Sequence, residues 1–547
     1  MSKIAQYLNE HILGEITSAK SIRQRFSRDG SVLSINPELV MFPRVTNDIR
    51  KAARFSWQLA EKGHILPIIV RGGGSNQTGA AIGKGLVINT TAHMDKIIHI
   101  ALKDKEHFAH VQPGVSFKSL NDTLNWHGLY LPTFPETATY STVGGAVADN
   151  SGGVLSGQAG LTGDWVSRLE VVLANGDLIE TTRLNKREFS KKKGLQTFEG
   201  EIYRKIDGLI EDNQALINDK LHDVGHDNSG YARIKEVKRK DGSFDLTPLL
   251  IGSQGTLGII SEIVLRTDFV STERTVLVAV VDSNEIARDA ADSLRGIDPA
   301  ALETIDGSIF KAAIARGKAY PFTKPDQVEV NIGAVIYMQL NDFHDRTRNH
   351  KLKKALKQLS KFNATVITSL DHDLEELEAI REVMSTVFLS ESDSEALPAL
   401  IDGSYIPANR YEEFTIAVTE LANKHHVTLP LYRRVLDGIV SARPTLQLDK
   451  VSDKQKIFKL ISEYSQLVDR LNGTFIADGG EGRLKANASY AIMDEDVRRM
   501  YVQIRETFDP FGTLNPGVKQ PSEQRTLVEA LRSSYDQSDF AQYAPHI

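Results

Sequence analysis

The 547-residue sequence contains no cysteine. That absence excludes disulfides, thiolate zinc sites, cysteine-ligated iron–sulfur clusters and any cysteinyl link to a cofactor. Long apolar runs are missing too: nothing approaches the ~18 consecutive residues that a membrane span needs. The N-terminal stretch MSKIAQYLNEHILGEITSAK mixes charge and polarity throughout and lacks the apolar centre of a signal peptide. The expected location is therefore cytoplasmic, with weak peripheral membrane contact left open. Neither sign of charge dominates. The 65 basic and 71 acidic residues leave a formal net charge of −6, which gives no reason to expect a nucleic-acid partner. Hydrophobic residues at 41% and charged residues at 25% are ordinary for a globular chain, long enough here for several average domains.

What the sequence does have is clustered glycine. RGGGSNQTGA (Arg71 to Ala80) follows ILPIIV (Ile65 to Val70), an apolar run that reads as a buried strand. Before it, Ile49, Ala52, Ala53, Leu59 and Ala60 recur at helical spacing between Thr46 and Lys62, and Gly63 stands where a C-cap belongs. After it, LVINT (Leu86 to Thr90), IIHIA (Ile97 to Ala101) and HFAHVQ (His107 to Gln112) read as strands. The loop thus joins strand to strand. A dinucleotide fingerprint would open a helix and place glycine at Gln77; a Walker A loop would follow Gly83-Lys84 with Ser or Thr, where Gly85 stands. Neither motif fits.

A second cluster, PETATYSTVGGAVADNSGGVLSGQAGLTGDWV (Pro135 to Val166), holds seven glycines in 32 residues, a density that turns alone do not explain. Glycine lets backbone N–H groups approach a pyrophosphate closely, and the segment Thr142 to Ala148 is expected to aim a helix N-terminus at it. RLEVVLA (Arg168 to Ala174), the turn Asn175-Gly176-Asp177 and LIETT (Leu178 to Thr182) read as a hairpin.

Together with GLVINTTAHMDKI, VQPGVSFKSLN, GSQGTLGIISEIVL (Gly252 to Leu265) and FDPFGTLNPG (Phe508 to Gly517), these segments resemble the vanillyl-alcohol-oxidase-type flavoproteins. Within that family the chain is most similar to the branch of D-lactate, glycolate and D-2-hydroxyglutarate dehydrogenases, over roughly Phe26 to Lys519. The resemblance implies an α+β architecture: a two-subdomain PCMH-type FAD-binding domain (1–270, with a polar, partly helical insertion at about 183–250), an α+β cap (271–500) and a C-terminal return with its tail (501–547). It implies a pyrophosphate held by Gly72, Gly73, Gly74, Ser75 and Asn76, with Thr142, Val143, Gly144, Gly145, Asn150, Gly153 and Asp164 lining the cofactor and Ile259 and Ile260 lying against it. Relatives with a histidyl-linked flavin usually carry histidine in the place of Ser75, so serine there implies non-covalent FAD. HDNSGYA (His226 to Ala232) resembles a family turn near the active site.

In the cap, TVLVAVV (Thr275 to Val281), a helix from Glu285, VIYMQL (Val335 to Leu340) and a helix near Leu352 alternate as strands and helices. ELEAIRE (Glu376 to Glu382) resembles the segment whose arginine clamps a substrate carboxylate, which points to Arg381; the planar fork of an arginine suits a bidentate grip, and the alternative is a solvated helix charge. Metal-dependent relatives carry two ligand histidines where this chain has Arg434 and Ser441, a ligand glutamate at Asp478, and a histidine often assigned as the base at Gly479. Imidazoles and carboxylates offer directed lone pairs; Arg434 offers none and repels a cation, so no bound metal is expected. Arg434, with Arg433 or Arg443 nearby, would supply a fixed positive charge instead. The base stays open among Asp478, His425 and His426.

The function implied is hydride removal from a small hydroxylated carboxylate, with electrons passed to a quinone, a soluble carrier or oxygen. The alternatives are oxidation of an alcohol or sugar, and a catalytically weakened flavin-binding partner protein. RTRNHKLKKALKQLSK (Arg346 to Lys361) reads as a solvated helix with its leucines on the cap, against the alternative of docking on an anionic membrane.

Overall fold

The computed structural model describes residues 3–533 except 104–105, 134–138, 222–225, 272, 316, 324–330 and 384–397. The tail assigned to 534–547 and the first residues of the second glycine cluster lie outside the described residues.

The first subdomain is a four-stranded sheet in the order Glu15–Thr17, Leu39–Phe42, Leu86–Asn89, Ile68–Arg71, the last three parallel. Helix Thr46–Glu61 makes the crossover between Leu39–Phe42 and Ile68–Arg71. It buries Ile49, Ala52, Ala53 and Ala60 on one stripe, and Gly63 follows its end at φ +81°, where a side chain would be strained. Ile68–Arg71 then runs into the glycine loop and emerges as Leu86–Asn89 beside it, with no helix between. The strand-to-strand connection read from the sequence is correct.

The second subdomain is an antiparallel sheet in the order Ile97–Lys103, Glu106–Val111, Ile259–Arg266, Val166–Val172, Leu178–Thr181. The hairpin is present, closed by Gly176 at φ +83°. The polar segment at 183–250 is more than a surface layer. Its Phe189, Ile202, Tyr203, Ile206 and Phe244 are packed in the same core as Val111, Leu169 and Ile263 of this sheet.

The cap is one antiparallel sheet of seven strands, in the order Thr365–Thr368, Thr275–Val281, Ala334–Leu340, Ala301–Asp306, Leu431–Arg434, Ile439–Ala442, Ser404–Tyr405. Every residue of Thr275–Val281 is buried because both faces of the sheet are covered. Leu277, Ala279 and Val281 pack against helices Asn284–Leu294 and Asp345–Leu359, while Val276, Val278 and Val280 join a cluster with Val154 and Leu155 of the first domain. The basic helix Asp345–Leu359 buries Leu352 and Leu359, leaves Leu356 38% exposed and carries its lysines outward at 353, 354 and 357.

After the cap, the chain returns to the first sheet. Ile68 N–H donates to the Thr513 carbonyl and Asn515 N–H to the Ile68 carbonyl, both at 2.8 Å. Asn515 Nδ2 donates to the carbonyls of Ala80 (2.9 Å) and Gln254 (2.8 Å), tying the return segment to two loops of the first domain. No helix among the described residues is long and apolar enough to cross a membrane.

Candidate active site

A deep cleft runs between the two glycine segments and continues beneath the cap sheet, from Val70 to Arg443 and Lys485. Gly72, Gly73, Gly74, Ser75 and Asn76 form one wall. Among the described residues, no N–H group from Gly73 through Gln77 donates to protein. Five successive unclaimed amides with Gly74 at φ +82° make a concavity suited to an anion. Side chains fix its shape. Asn76 Oδ1 accepts from Thr78 N–H (2.9 Å), Thr78 Oγ1 (3.0 Å) and Ala80 N–H (2.9 Å), and Ser75 Oγ bonds Ser141 Oγ at 2.9 Å. The loop also abuts the second glycine segment: a Cβ on Gly73 would stand 2.0 Å from the Tyr140 carbonyl oxygen.

Thr142, Gly144, Gly145, Gly153 and Ile260 line the opposite wall. Helix Val143–Asp149 does not present free amides as its N-terminus was expected to. Val143 N–H donates to the Val115 carbonyl, Gly144 N–H to the Pro113 carbonyl and Gly145 N–H to Thr142 Oγ1. Four of the expected lining residues lie behind the wall. Val143 and Ile259 are core side chains; Asn150 is buried at φ +52° and bonds Asn228 and Gly163 N–H; Asp164 accepts from Leu161 N–H and pairs with Arg233. Asn228, in the HDNSGYA turn, donates to the Ala477 carbonyl at 2.9 Å, which puts that turn beside the segment that carries Asp478 and Gly479.

The helix ends on Asp149, a carboxylate in the cleft wall that the sequence reading missed. Its Oδ1 accepts from Gln254 Nε2 (2.7 Å), Gly480 N–H (3.1 Å) and Asn76 Nδ2 (3.2 Å), three segments far apart in sequence. Burial pushes its carboxyl upward, against the hydrogen bonds that favour the ion.

The cap contributes arginines on alternate faces of strand Leu431–Arg434, as the two-residue period of a strand requires. Arg434 points to the cleft; Arg433 points away, stacked over the Tyr411 ring at 3.8 Å and 1% exposed. Arg434 is committed. Its Nη1 lies 2.7 Å from Asp478 Oδ2 and its Nη2 3.0 Å from Asp437 Oδ2. Burial lowers its affinity for a proton, but the two aspartates outweigh that and hold it firmly charged. Asp478 is occupied as well, accepting from Gly152 N–H at 2.6 Å.

Arg381 does not line the cleft. Its fork grips Glu303 within the protein, Nε to Oε2 at 2.6 Å and Nη2 to Oε1 at 2.9 Å, while Tyr432 donates to Oε1 at 2.8 Å. The bidentate geometry expected of Arg381 is real, but the carboxylate is internal. Glu303 is 0% exposed. Arg381→Met should therefore cost about 3–5 kcal/mol, the usual result of stranding one partner of a buried pair. Thermal melting should fall by several degrees while the substrate KM of the folded enzyme stays within about twofold, on the same reasoning. A large rise in KM without loss of stability would restore the clamp.

Further along the wall, Arg443 Nε meets Asp402 Oδ2 at 2.5 Å, and Lys485 Nζ donates to the Asp402 carbonyl oxygen at 2.5 Å. Burial holds the Lys485 ammonium below the usual lysine range. His425 and His426 are elsewhere: His425 bonds Glu463 at 2.9 Å and His426 closes helix Tyr411–His425 at φ +51°. Neither lines the cleft. Among the described residues, no group of three or more His, Asp or Glu is placed to hold a metal ion.

This fold and sequence match known proteins. The family model described as FAD binding domain matches residues 37–182, and that described as FAD linked oxidases, C-terminal domain, matches 270–518. D-2-hydroxyglutarate dehydrogenase of Pantoea ananatis is 24% identical over 541 residues, covering 96% of this chain and 52% of its own. Glycolate oxidase subunit GlcD of Bacillus subtilis is 24% identical over 500 residues, covering 91% of this chain and 92% of its own. The chain thus spans about half the length of the D-2-hydroxyglutarate dehydrogenases it matches. Among solved structures, 4-ethylphenol oxidase from Gulosibacter chungangensis superposes with a TM-score of 0.68 at 14% identity, over 95% of this chain and 97% of that one. p-Cresol methylhydroxylase gives 0.67 at 11% identity, over 92% and 93%. The chain belongs to the FAD-linked oxidases, with the two-domain fold of the vanillyl-alcohol-oxidase type and FAD as its cofactor.

Proposed function

We propose that this protein removes a hydride from a small hydroxylated carboxylate of the D-2-hydroxy-acid kind, without a bound metal. The unclaimed amides from Gly73 to Gln77 fit the pyrophosphate of FAD, and Thr142, Gly144, Gly145, Gly153 and Ile260 would form the facing wall. Ser75, engaged with Ser141, offers no imidazole for a covalent link, so the cofactor is held non-covalently. When bound, the flavin supplies a two-electron acceptor for the hydride.

The observation that carries the substrate class is the charge of the wall at Asp402. Two cations, Arg443 and Lys485, meet at Asp402 on the cleft wall. An incoming carboxylate is attracted to them, and the N–H groups of both side chains orient the acid. Arg434 is placed differently: bonded to Asp437 and Asp478, it is a fixed cation on the cleft wall. The named dehydrogenases among the relatives support the same substrate class.

The test is anaerobic bleaching of the visible flavin band by D-2-hydroxy acids, alcohols and sugars, with and without prior chelator treatment. Rapid bleaching by a D-2-hydroxy acid, unchanged by chelator, is the expected outcome. Lys485→Met should then raise KM for that acid by about 10- to 100-fold with a smaller change in kcat, the loss of one charge-assisted hydrogen bond worth about 1.5–3 kcal/mol. Bleaching only by uncharged alcohols, or only after metal is restored, would overturn the reading.

A further inference from the structure

The carboxylates around the cleft are not equivalent. Asp478 and Asp437 share Arg434, and Asp402 is joined to Arg443. Asp149 is different: all of its hydrogen bonds arrive at Oδ1, and among the described residues no cation or donor meets Oδ2. The three donors come from the glycine loop, from Gln254 and from Gly480, so they fix the plane of the carboxylate from three sides. Gln254 is itself pinned, accepting from Gly482 N–H at 2.9 Å.

Access to Oδ2 is kept by a second feature. Gly479 has φ +72°, and a Cβ there would stand 2.8 Å from Asp149 Oδ2. A side chain at 479 would cover that oxygen; glycine leaves it open. A rigid carboxylate with one oxygen saturated and the other uncovered in a ligand cleft has the geometry required of a proton acceptor.

We propose that Asp149 is the general base of the reaction, taking the substrate hydroxyl proton on Oδ2. This rests on the functional reading above for the existence of a CH–OH substrate, and names the residue that reading lacks. As the O–H bond breaks, its electron pair becomes the second carbon–oxygen bond of the carbonyl product, and the C–H pair leaves as a hydride to the flavin. The alcohol loses two electrons and two hydrogens: one proton rests on Asp149, the hydride on the acceptor. Burial, which makes the Asp149 carboxyl hold a proton more readily than a surface aspartate, suits it to this work.

The experiment pairs the wild-type holoenzyme with Asp149→Asn, whose amide oxygen can still accept the bonds from Asn76, Gln254 and Gly480. Both are run against hydroxy acids, alcohols and sugars by anaerobic stopped flow. Flavin content, melting temperature and the flavin spectral shift caused by the unreactive keto-acid product are recorded beside the rates. The expected result is a reduction rate about 10²- to 10⁴-fold lower, the usual contribution of a general base, with flavin content and product affinity within about threefold of wild type. Asp149→Glu should recover part of the rate. A hydroxy acid that reduces both proteins equally overturns the assignment and keeps the substrate reading. An alcohol that reduces only the wild type keeps the assignment and overturns the substrate reading. Loss of flavin or of product affinity in step with the rate makes Asp149 a structural prop, and a wild type reduced by nothing overturns both.

Discussion

Gly73→Ala is expected to purify with little or no flavin. The substitution adds one methyl group, but that carbon would stand 2.0 Å from a backbone oxygen, that of Tyr140, which has no flexible end to yield. Either the glycine loop or the Tyr140 segment must move. The amides from Gly73 to Gln77 present their hydrogens as a set, so a shift of the loop misdirects several of them together. Losing two hydrogen bonds to a charged pyrophosphate, at about 1.5–3 kcal/mol each, removes about 3–6 kcal/mol. That is roughly two to four decades in the dissociation constant. The ratio of visible to ultraviolet absorbance of the purified protein, followed by titration of the apoprotein with FAD, reads it directly. Gly208→Ala is the control: it lies within helix Phe198–Asp212, and a Cβ there meets nothing within 4 Å. It should keep its flavin and melt at the same or a higher temperature, since alanine favours a helix over glycine by about 1 kcal/mol. Full flavin content in Gly73→Ala would mean that the cofactor does not depend on close approach to this loop.

Arg434→Met should cost more stability than any other single change in the cleft. Arg434 joins Asp437, Asp478 and, at 3.4 Å, the Gly153 carbonyl, while Asp478 holds Gly152 N–H and Asp437 accepts from Ser156. The cap strand, the second glycine segment and the segment at Asp478 therefore meet on one guanidinium. Methionine fills much of the volume but leaves two partly buried carboxylates without their cation, a loss of about 3–5 kcal/mol. Release of flavin fluorescence on heating should come several degrees earlier than in the wild type. Arg434→Lys should fall between the two, because one ammonium lacks the fork that reaches both aspartates at once. Normal melting with abolished reduction by hydroxy acids would instead place Arg434 on the substrate.

Much of the scaffold is legible in the sequence because it is written in local patterns. The run Thr275–Val281 forms the strand its β-branched content implies, and the stripe from Ile49 to Ala60 forms the helix its spacing implies. The glycine loop shows in composition alone. What is not legible depends on partners distant in sequence. Glu303 satisfies Arg381 from 78 residues away, on strand Ala301–Asp306, so a motif that promises a free guanidinium delivers an occupied one. The amides at the start of Val143–Asp149 are satisfied by Pro113 and Val115, and nothing in the glycine pattern tells of those carbonyls. Asp149 lies inside the quoted glycine segment, yet its distinction is that donors from residues 76, 254 and 480 converge on one oxygen. The opposite faces of Arg433 and Arg434 were within reach of the strand period, once Leu431–Arg434 is read as a strand.

The return of the chain at Thr513–Asn515 sets an order of events in synthesis. Asn515 bonds the carbonyl of Ala80 across 435 residues, and Arg483 donates to the carbonyl of Ile82 across 401. The loop that would receive the cofactor is made before the cap, and its braces are made after most of it. The nascent chain therefore carries an incomplete nucleotide cradle while the whole cap is being made. The cradle is braced in full only once residues through Asn515 have been made, and FAD met before then would find the loop without these two ties.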